Sequence, residues 1–222
     1  MDNKMLCWRT GDFLNSALAN ETGFTKVAAG ENHACGLKNQ QLLCMGRDDY
    51  GQASPPSGNF IDVGAGNKYT CAIDTNGEIQ CFGKKYFGDT SWNFSVSTPN
   101  ETFVELDVGL FYQVCAISTI GDIHCWVIQE TGQTHQVREG PFIHVNVHYH
   151  GVCGIHTNHT VECWGHKQVL QNLTSSVHFS ELSVGVDNAC GVENGTNLLK
   201  CEIIGIEFDT PSIPNDFEVY MN

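Results

Sequence analysis

The 222-residue chain is 41% hydrophobic and only 16% charged, a composition that builds a packed core rather than a disordered ensemble. Eleven Lys+Arg stand against 25 Asp+Glu, for a formal net charge of −14, and that field repels phosphate backbones and anionic headgroups, which disfavours nucleic acid and membrane surfaces as partners. No apolar run reaches the roughly 18 to 20 residues of a spanning helix, and the opening MDNKMLCWRTGDF lacks the apolar core of a secretory signal.

In chain order, residues 1–23 read as the tail half of a truncated repeat. Its LCWRTGD matches a later Cys163-Trp164-Gly165, and it leaves Cys7 unpaired, with a partner expected upstream of Met1. SALANET, just before the first full unit, is the best helix candidate and is short. Then a unit recurs on Phe24, Phe60, Phe103, Phe142 and Phe179, at intervals of 36 to 43 residues, and reopens at Phe217. The complete units are 24–59, 60–102, 103–141, 142–178 and 179–216, and 217–222 is the first strand of another. Both ends are therefore expected to be cut within a unit of a longer chain, which would also account for the absent signal.

Each unit reads as all-β. FTKVAAG, FIDVGAG and FSELSVG alternate apolar residues and stop at Gly. A Cys follows each anchor Phe by eleven residues, or twelve in the third unit, and a second Cys follows nine to eleven residues later. The pairs are Cys35/Cys44, Cys71/Cys81, Cys115/Cys125, Cys153/Cys163 and Cys190/Cys201. If Cys71 and Cys81 oppose each other, the hairpin closes with a three-residue loop, Thr75-Asn76-Gly77, and Gly77 takes a left-handed conformation; Gly121 falls in the same place. Opposed residues of an antiparallel hairpin lie about 4.5 to 5.5 Å apart, within disulfide range. Reduced core cysteines remain an open alternative; zinc is a weaker one, because no Cys-x-x-Cys occurs. A unit of this length must stack on its neighbours to bury its face. The expected fold is an all-β propeller of five complete blades with partial head and tail units, six positions in all, as in an incomplete seven-blade ring.

Six Asn-x-Ser/Thr sequons, at Asn20, Asn93, Asn100, Asn158, Asn172 and Asn194, fall in expected turns and connectors. With paired cysteines they favour a secreted or extracellular setting.

VAAGENHACGL followed by CMGRDDYGQASPP, with its Gly51-Gln52 element, resembles the repeat of the regulator of chromosome condensation. The disulfide-paired form, seen best from Cys153-Gly154-Ile155 to Cys163-Trp164-Gly165, is similar to the extracellular repeats of crinkly-type plant receptor-like kinases. The resemblance implies a propeller, commonly of seven blades, serving as an ectodomain; the membrane span and kinase of those receptors have no counterpart in this sequence. Two departures stand out. The third unit has an extra residue before Cys115 and Val127 after Trp126. The fourth places His148 where others have Gly30, Gly66, Gly109 and Gly185; a non-Gly residue at such a left-handed position costs energy, so its turn is expected to be reshaped.

Enzyme signatures are absent: there is no G-x-S-x-G, H-E-x-x-H or phosphate loop. Gly64-x-Gly66 reads as a repeat turn and Asp48-Asp49 as a solvated one. Eight of ten histidines lie between His124 and His166, and His144, His148 and His150 share strand parity, which raises a metal site or a pH-titrating cluster beside the plainer reading of solvated or core-edge histidines. The expected function is a non-catalytic extracellular recognition module, without cofactor or metal, that binds a protein or peptide ligand, as a receptor ectodomain does. A guanine-nucleotide exchange factor of the founding type and a secreted protein inhibitor are the alternatives. The acidic balance, paired cysteines and sequons oppose the exchange factor.

Overall fold

The structure, a computed structural model, describes residues 21–85, 93–96, 100–110, 112–129, 132–148, 151–165, 178–185 and 188–203. Cys7, Asn20, Asn172, Phe217 and most of SALANET lie outside them. The described residues form five antiparallel meanders and no helix. The first contains β1 (Lys26–Ala29), β2 (His33–Lys38) and β3 (Gln41–Gly46). The second contains β4 (Phe60–Ala65), β5 (Tyr69–Asp74), β6 (Ile79–Gly83) and β7 (Asn93–Ser95). The third contains β8 (Phe103–Val108), β9 (Gln113–Ser118), β10 (Ile123–Gln129) and β11 (Gly132–Arg138). The fourth contains β12 (Phe142–His148), β13 (Gly151–His156) and β14 (Val161–Gly165). The fifth contains β15 (Phe179–Val184), β16 (Asn188–Glu193) and β17 (Leu199–Ile203).

The second and third strands of every sheet make the hairpin that carries the cysteines, and five disulfides join them: Cys35–Cys44, Cys71–Cys81, Cys115–Cys125, Cys153–Cys163 and Cys190–Cys201. Each Cys is directly opposite its partner. The varied spacing has a simple cause. Loops of two, three, three, three and four residues give separations of 9, 10, 10, 10 and 11, so the pair always sits at the same distance from its turn. The residues flanking the turn are hydrogen-bonded to each other. Alternation along the ladder then makes the Cys position a non-hydrogen-bonded one, where side chains come closest; the Cα–Cα distances are 4.0 to 4.1 Å. Gly77 and Gly121 close their loops with φ of +81° and +94°, as the spacing predicts.

The core lies between sheets rather than within them. Phe60 packs with Cys35, Leu37 and Leu42 of the sheet before it. Phe103 packs with Tyr69, Ile73 and Ile79, Phe142 with Cys115, Ile117 and Ile123, and Phe179 with Cys153, Ile155 and Val161. Each of these four anchor Phe is 3% exposed or less. Burying such a side chain contributes about 2–3 kcal/mol, none of which an isolated unit could gain. The backbone of the same residue completes the joint. Its N–H donates to the carbonyl of the last loop residue of the preceding sheet: Phe60 to Gln40 (2.8 Å), and Phe103 to Gly77, Phe142 to Gly121 and Phe179 to His159 (2.9 Å each). All four acceptors belong to residues with positive φ, which turns the carbonyl outward to the next sheet.

The recurrent glycine after the first strand corrects one expectation. Gly30, Gly66 and Gly109 do not take positive φ. They are small because neighbouring sheets approach closely. A Cβ on Gly30 would lie 2.4 Å from the Gly66 carbonyl oxygen, one on Gly66 would lie 2.8 Å from that of Gly109, and one on Gly109 would lie 2.8 Å from Val147 Cγ1. His148, at the fourth position, is buried and likewise not left-handed, so handedness does not reshape that turn.

Candidate binding surfaces

The first strands β1, β4, β8, β12 and β15 follow one another in space and line a single cavity of about 320 Å³. Its charged and amide groups are fastened across sheets. Asp62, 2% exposed, pairs with Lys26 and accepts the Leu106 N–H (2.8 Å). Asp107 accepts the N–H of Val147 (2.7 Å) and the Asn146 side-chain amide N–H (2.9 Å), and the Asn146 side-chain Oδ1 accepts the Val184 N–H (2.7 Å). Thus a carboxylate or amide on one first strand holds the backbone of the next strand around the cavity. Burial raises Asp62 and pushes Asp107 up from 3.8 to about 6, against the backbone donors that favour the anion. Removing the acceptor with D107A leaves a buried N–H orphaned. The expected loss is about 1–3 kcal/mol in urea unfolding, with D107N, which keeps an acceptor, costing clearly less.

His144 bridges three sheets. Its Nδ1 lies 2.6 Å from Glu105 and its Nε2 2.9 Å from the Leu182 carbonyl. Both neighbours are acceptors, so both nitrogens carry protons and the ring is an imidazolium. Burial alone would lower its pKa; the Glu105 carboxylate outweighs burial and raises it above 6.5. A raised folded pKa contributes stability that is present below 6.5 and lost as pH rises through the folded value. His33 runs the other way. Burial lowers it to about 4, so its contribution is present above 6.5 and lost as pH falls through 4. Asp107 opposes His33 over that acid window, because its raised pKa favours the folded state as pH falls. Thermal scans should show Tm declining as pH rises above 6.5, and H144Q should flatten that limb; an unchanged slope in H144Q would contradict the imidazolium assignment.

Two rims flank the cavity. At one, the loops between second and third strands meet the starts of the first strands. The exposed sequon residues Asn100, Asn158 and Asn194 lie here, among exposed Ile61 (41%), Val104 (52%), Ile120 (75%) and Ile143 (41%). Asn93 corrects the expectation of a turn: it lies on β7, the outermost strand of its sheet, opposite Phe82. The other rim carries the glycine turns and the segment after β3. There the Lys68 and Lys84 ammonium groups approach the Tyr50 ring, at 5.5 and 4.7 Å from its centroid. Asp48 accepts from Ala53 N (2.7 Å) and Ser54 Oγ (2.5 Å), and Asp49 pairs with Arg47, so both exposed acids organise a turn. Gln52 is 1% exposed and structural: its side chain accepts the Tyr50 N–H (2.9 Å) and its carbonyl accepts the Thr70 hydroxyl (2.8 Å), which in turn meets His33 Nε2 (2.8 Å).

The histidines do not converge. A bulge between Phe142 and His144 breaks strand parity, both nitrogens of His144 are engaged, and His150 lies outside the described residues. His124 pairs with Glu101 (2.9 Å) and His135 (3.0 Å), and His156 with Glu162 (3.0 Å). Among the described residues, no group of three or more His, Cys, Asp or Glu is placed to hold a metal ion, and no helix is long and apolar enough to cross a membrane. The Asp62–Asp107–Asn146 fastening was not anticipated. Its sequence signal is an acid or amide within β4, β8 and β12, and it is blurred because Asp62 sits two residues after its Phe whereas Asp107 and Asn146 sit four after theirs.

Antiparallel meanders packed in succession around one cavity, each joined to the next by an anchor Phe, define a β-propeller. Residues 24–52, within the first complete unit, match the Regulator of chromosome condensation (RCC1) repeat family. The fold is similar to the ectodomain of the Arabidopsis thaliana receptor kinase ACR4 (TM-score 0.66, 19% identity, covering 81% of this chain and 68% of that one). It is also similar to the entire ectodomain of the Physcomitrella patens receptor kinase CR4 (0.64, 18%, 79% and 52%). Prp20p from Saccharomyces cerevisiae shares it at 0.61 and 12% identity, over 76% of this chain and 54% of that one. The chain thus spans about half the length of the moss ectodomain. The five disulfide-paired blades of this chain accord with the paired-cysteine repeats that the sequence reading expected.

Proposed function

We propose that this chain is a non-catalytic recognition module that works on the extracellular side of the plasma membrane and presents a rigid propeller rim to a protein or peptide ligand. One observation carries the reading: a disulfide in each of the five sheets, a chemistry that persists in oxidising compartments. The exposed sequon residues Asn100, Asn158 and Asn194, and the ectodomain propellers among the similar folds, support it. The acids and the imidazole at the cavity join blades to one another, which supports a non-catalytic reading. Nucleotide exchange of the founding type is disfavoured by the −14 charge and the disulfides. The test is secretion from a eukaryotic host behind an added leader. The expected product resists thiol labelling at the ten paired cysteines and loses mass on enzymatic deglycosylation, with N158Q and N194Q each removing one glycan. A glycan-free product, equally stable when made reduced in a cytosol, would overturn the proposal.

A further inference from the structure

We infer that the partner docks at the joint between the third and fourth blades, on the rim where the hairpin loops meet the starts of the first strands, and that it brings an apolar side chain flanked by Lys or Arg; this deepens the recognition reading above and rests on it. Bulges between Phe103 and Glu105 and between Phe142 and His144 take Val104 and Ile143 out of the ladder. Both are left exposed, at 52% and 41%. The β9–β10 loop lies between them. Its Thr119 N–H donates to the carbonyl of Thr102, two residues before Val104 (3.0 Å), and its Gly121 carbonyl accepts the N–H of Phe142, next to Ile143 (2.9 Å). Ile120 stands between Thr119 and Gly121, so it is held near both aliphatics, and it is 75% exposed.

The sister loops show that the fold does not require an aliphatic at this point. They read Thr75-Asn76-Gly77 and Thr157-Asn158-His159, with Asn at the centre, where a polar turn residue suits the backbone. Single exposed hydrophobics are ordinary, whereas three gathered at one joint mark a contact surface. The neighbouring joints do not gather them: Ile61 starts its blade beside the polar loop Asn39-Gln40, and the fourth-to-fifth joint sets Ser180 beside the sequon Asn158. Charge names the occupant. Exposed Glu101 precedes Thr102, exposed Glu139 precedes Gly140-Pro141, and exposed Glu78 follows Gly77, whose carbonyl binds the Phe103 N–H. Glu101 meets His124, whose pKa burial lowers, so the contact leaves a net negative charge at neutral pH. Of the described Lys and Arg only Arg138 belongs to this joint, and it pairs with Glu162. Aliphatics in an acidic frame attract a basic, apolar segment and repel a second copy of a chain whose net charge is −14.

The probe is a fluorescein-labelled peptide, Gly-Lys-Leu-Lys-Phe-Lys-Gly, read by anisotropy on the secreted protein before and after enzymatic deglycosylation. One control replaces its Leu and Phe by Ser, and a second replaces its three Lys by Glu. Saturable binding of the first peptide alone is expected in both glycosylation states, weakening as salt rises. I120N, which gives this loop the residue of its sisters, should weaken binding about tenfold or more with an unchanged melting curve. V104S/I143S should do the same, and I120T serves if I120N fails to fold. I61S, at another joint, should leave binding within about twofold. No saturable binding, equal binding of the Ser control, indifference to I120N, equal loss in I61S, or binding only after the glycans are removed would each overturn the assignment. The secretion and glycan test does not involve Ile120, so the recognition reading and the choice of surface can fail separately.

Discussion

Full reduction unfolds this protein at room temperature. Each bridge closes a loop of about ten residues, and the chain-entropy cost it removes from the unfolded state is about 2–3 kcal/mol. Five bridges in separate sheets act nearly independently. Their sum, on the order of 10–15 kcal/mol, matches or exceeds the net stability of an ordinary domain. The blades have little to fall back on, because their apolar faces are buried only against each other. Access sets the order of loss. Cys201 is exposed, so Cys190–Cys201 should reduce first; Cys71 and Cys81, at 0% and 2% exposure, should reduce last. Circular dichroism with rising dithiothreitol checks the loss of cooperative structure, and quenched alkylation checks the order. A reduced protein that keeps a sharp melt within a few degrees of the oxidised one would refute this account of its stability.

The second large effect is expected at Trp126. The side chain is fully buried at the joint between the second and third blades, edge-on to the anchor Phe103 at 5.5 Å and parallel to His135 at 5.0 Å. W126A removes the largest wholly buried side chain among the described residues and leaves a cavity that the surrounding strands, joined at Cys115–Cys125, cannot collapse to fill. The expected loss is about 3–5 kcal/mol in urea unfolding, with W126F recovering much of it. A loss below about 1 kcal/mol would place the joint's cohesion elsewhere, in the backbone bonds from anchor Phe to loop carbonyl.

Those backbone bonds mark where sequence reading stops. The anchor Phe, the Cys pair and the loop glycines at 77 and 121 are legible because they recur as letters, and each letter answers one demand: a wedge between sheets, a staple across strands, a positive φ. The carbonyl that receives the anchor's N–H belongs to Gln40, Gly77, Gly121 and His159 in turn. Every residue has a carbonyl, so no letter records the joint. Gly30, Gly66 and Gly109 were legible as required glycines but not for the right reason. A left-handed turn and a close approach between blades both exclude a side chain, and only coordinates tell them apart. The histidines show the converse. Their clustering in sequence raised a shared site beside the plainer reading of solvated or core-edge side chains, and the bulge at Phe142/His144 and the carboxylates Glu101, Glu105 and Glu162 distribute those described to separate partners.

The physical claim under all of this is that cysteines nine to eleven residues apart face each other across the second and third strands of every blade. Peptide mapping of the secreted protein, digested without reduction and with free thiols blocked, measures it most directly. The account predicts five linked peptide pairs, Cys35 with Cys44, Cys71 with Cys81, Cys115 with Cys125, Cys153 with Cys163 and Cys190 with Cys201. Blocked thiols at these ten positions, or links running from one blade to another, would contradict it.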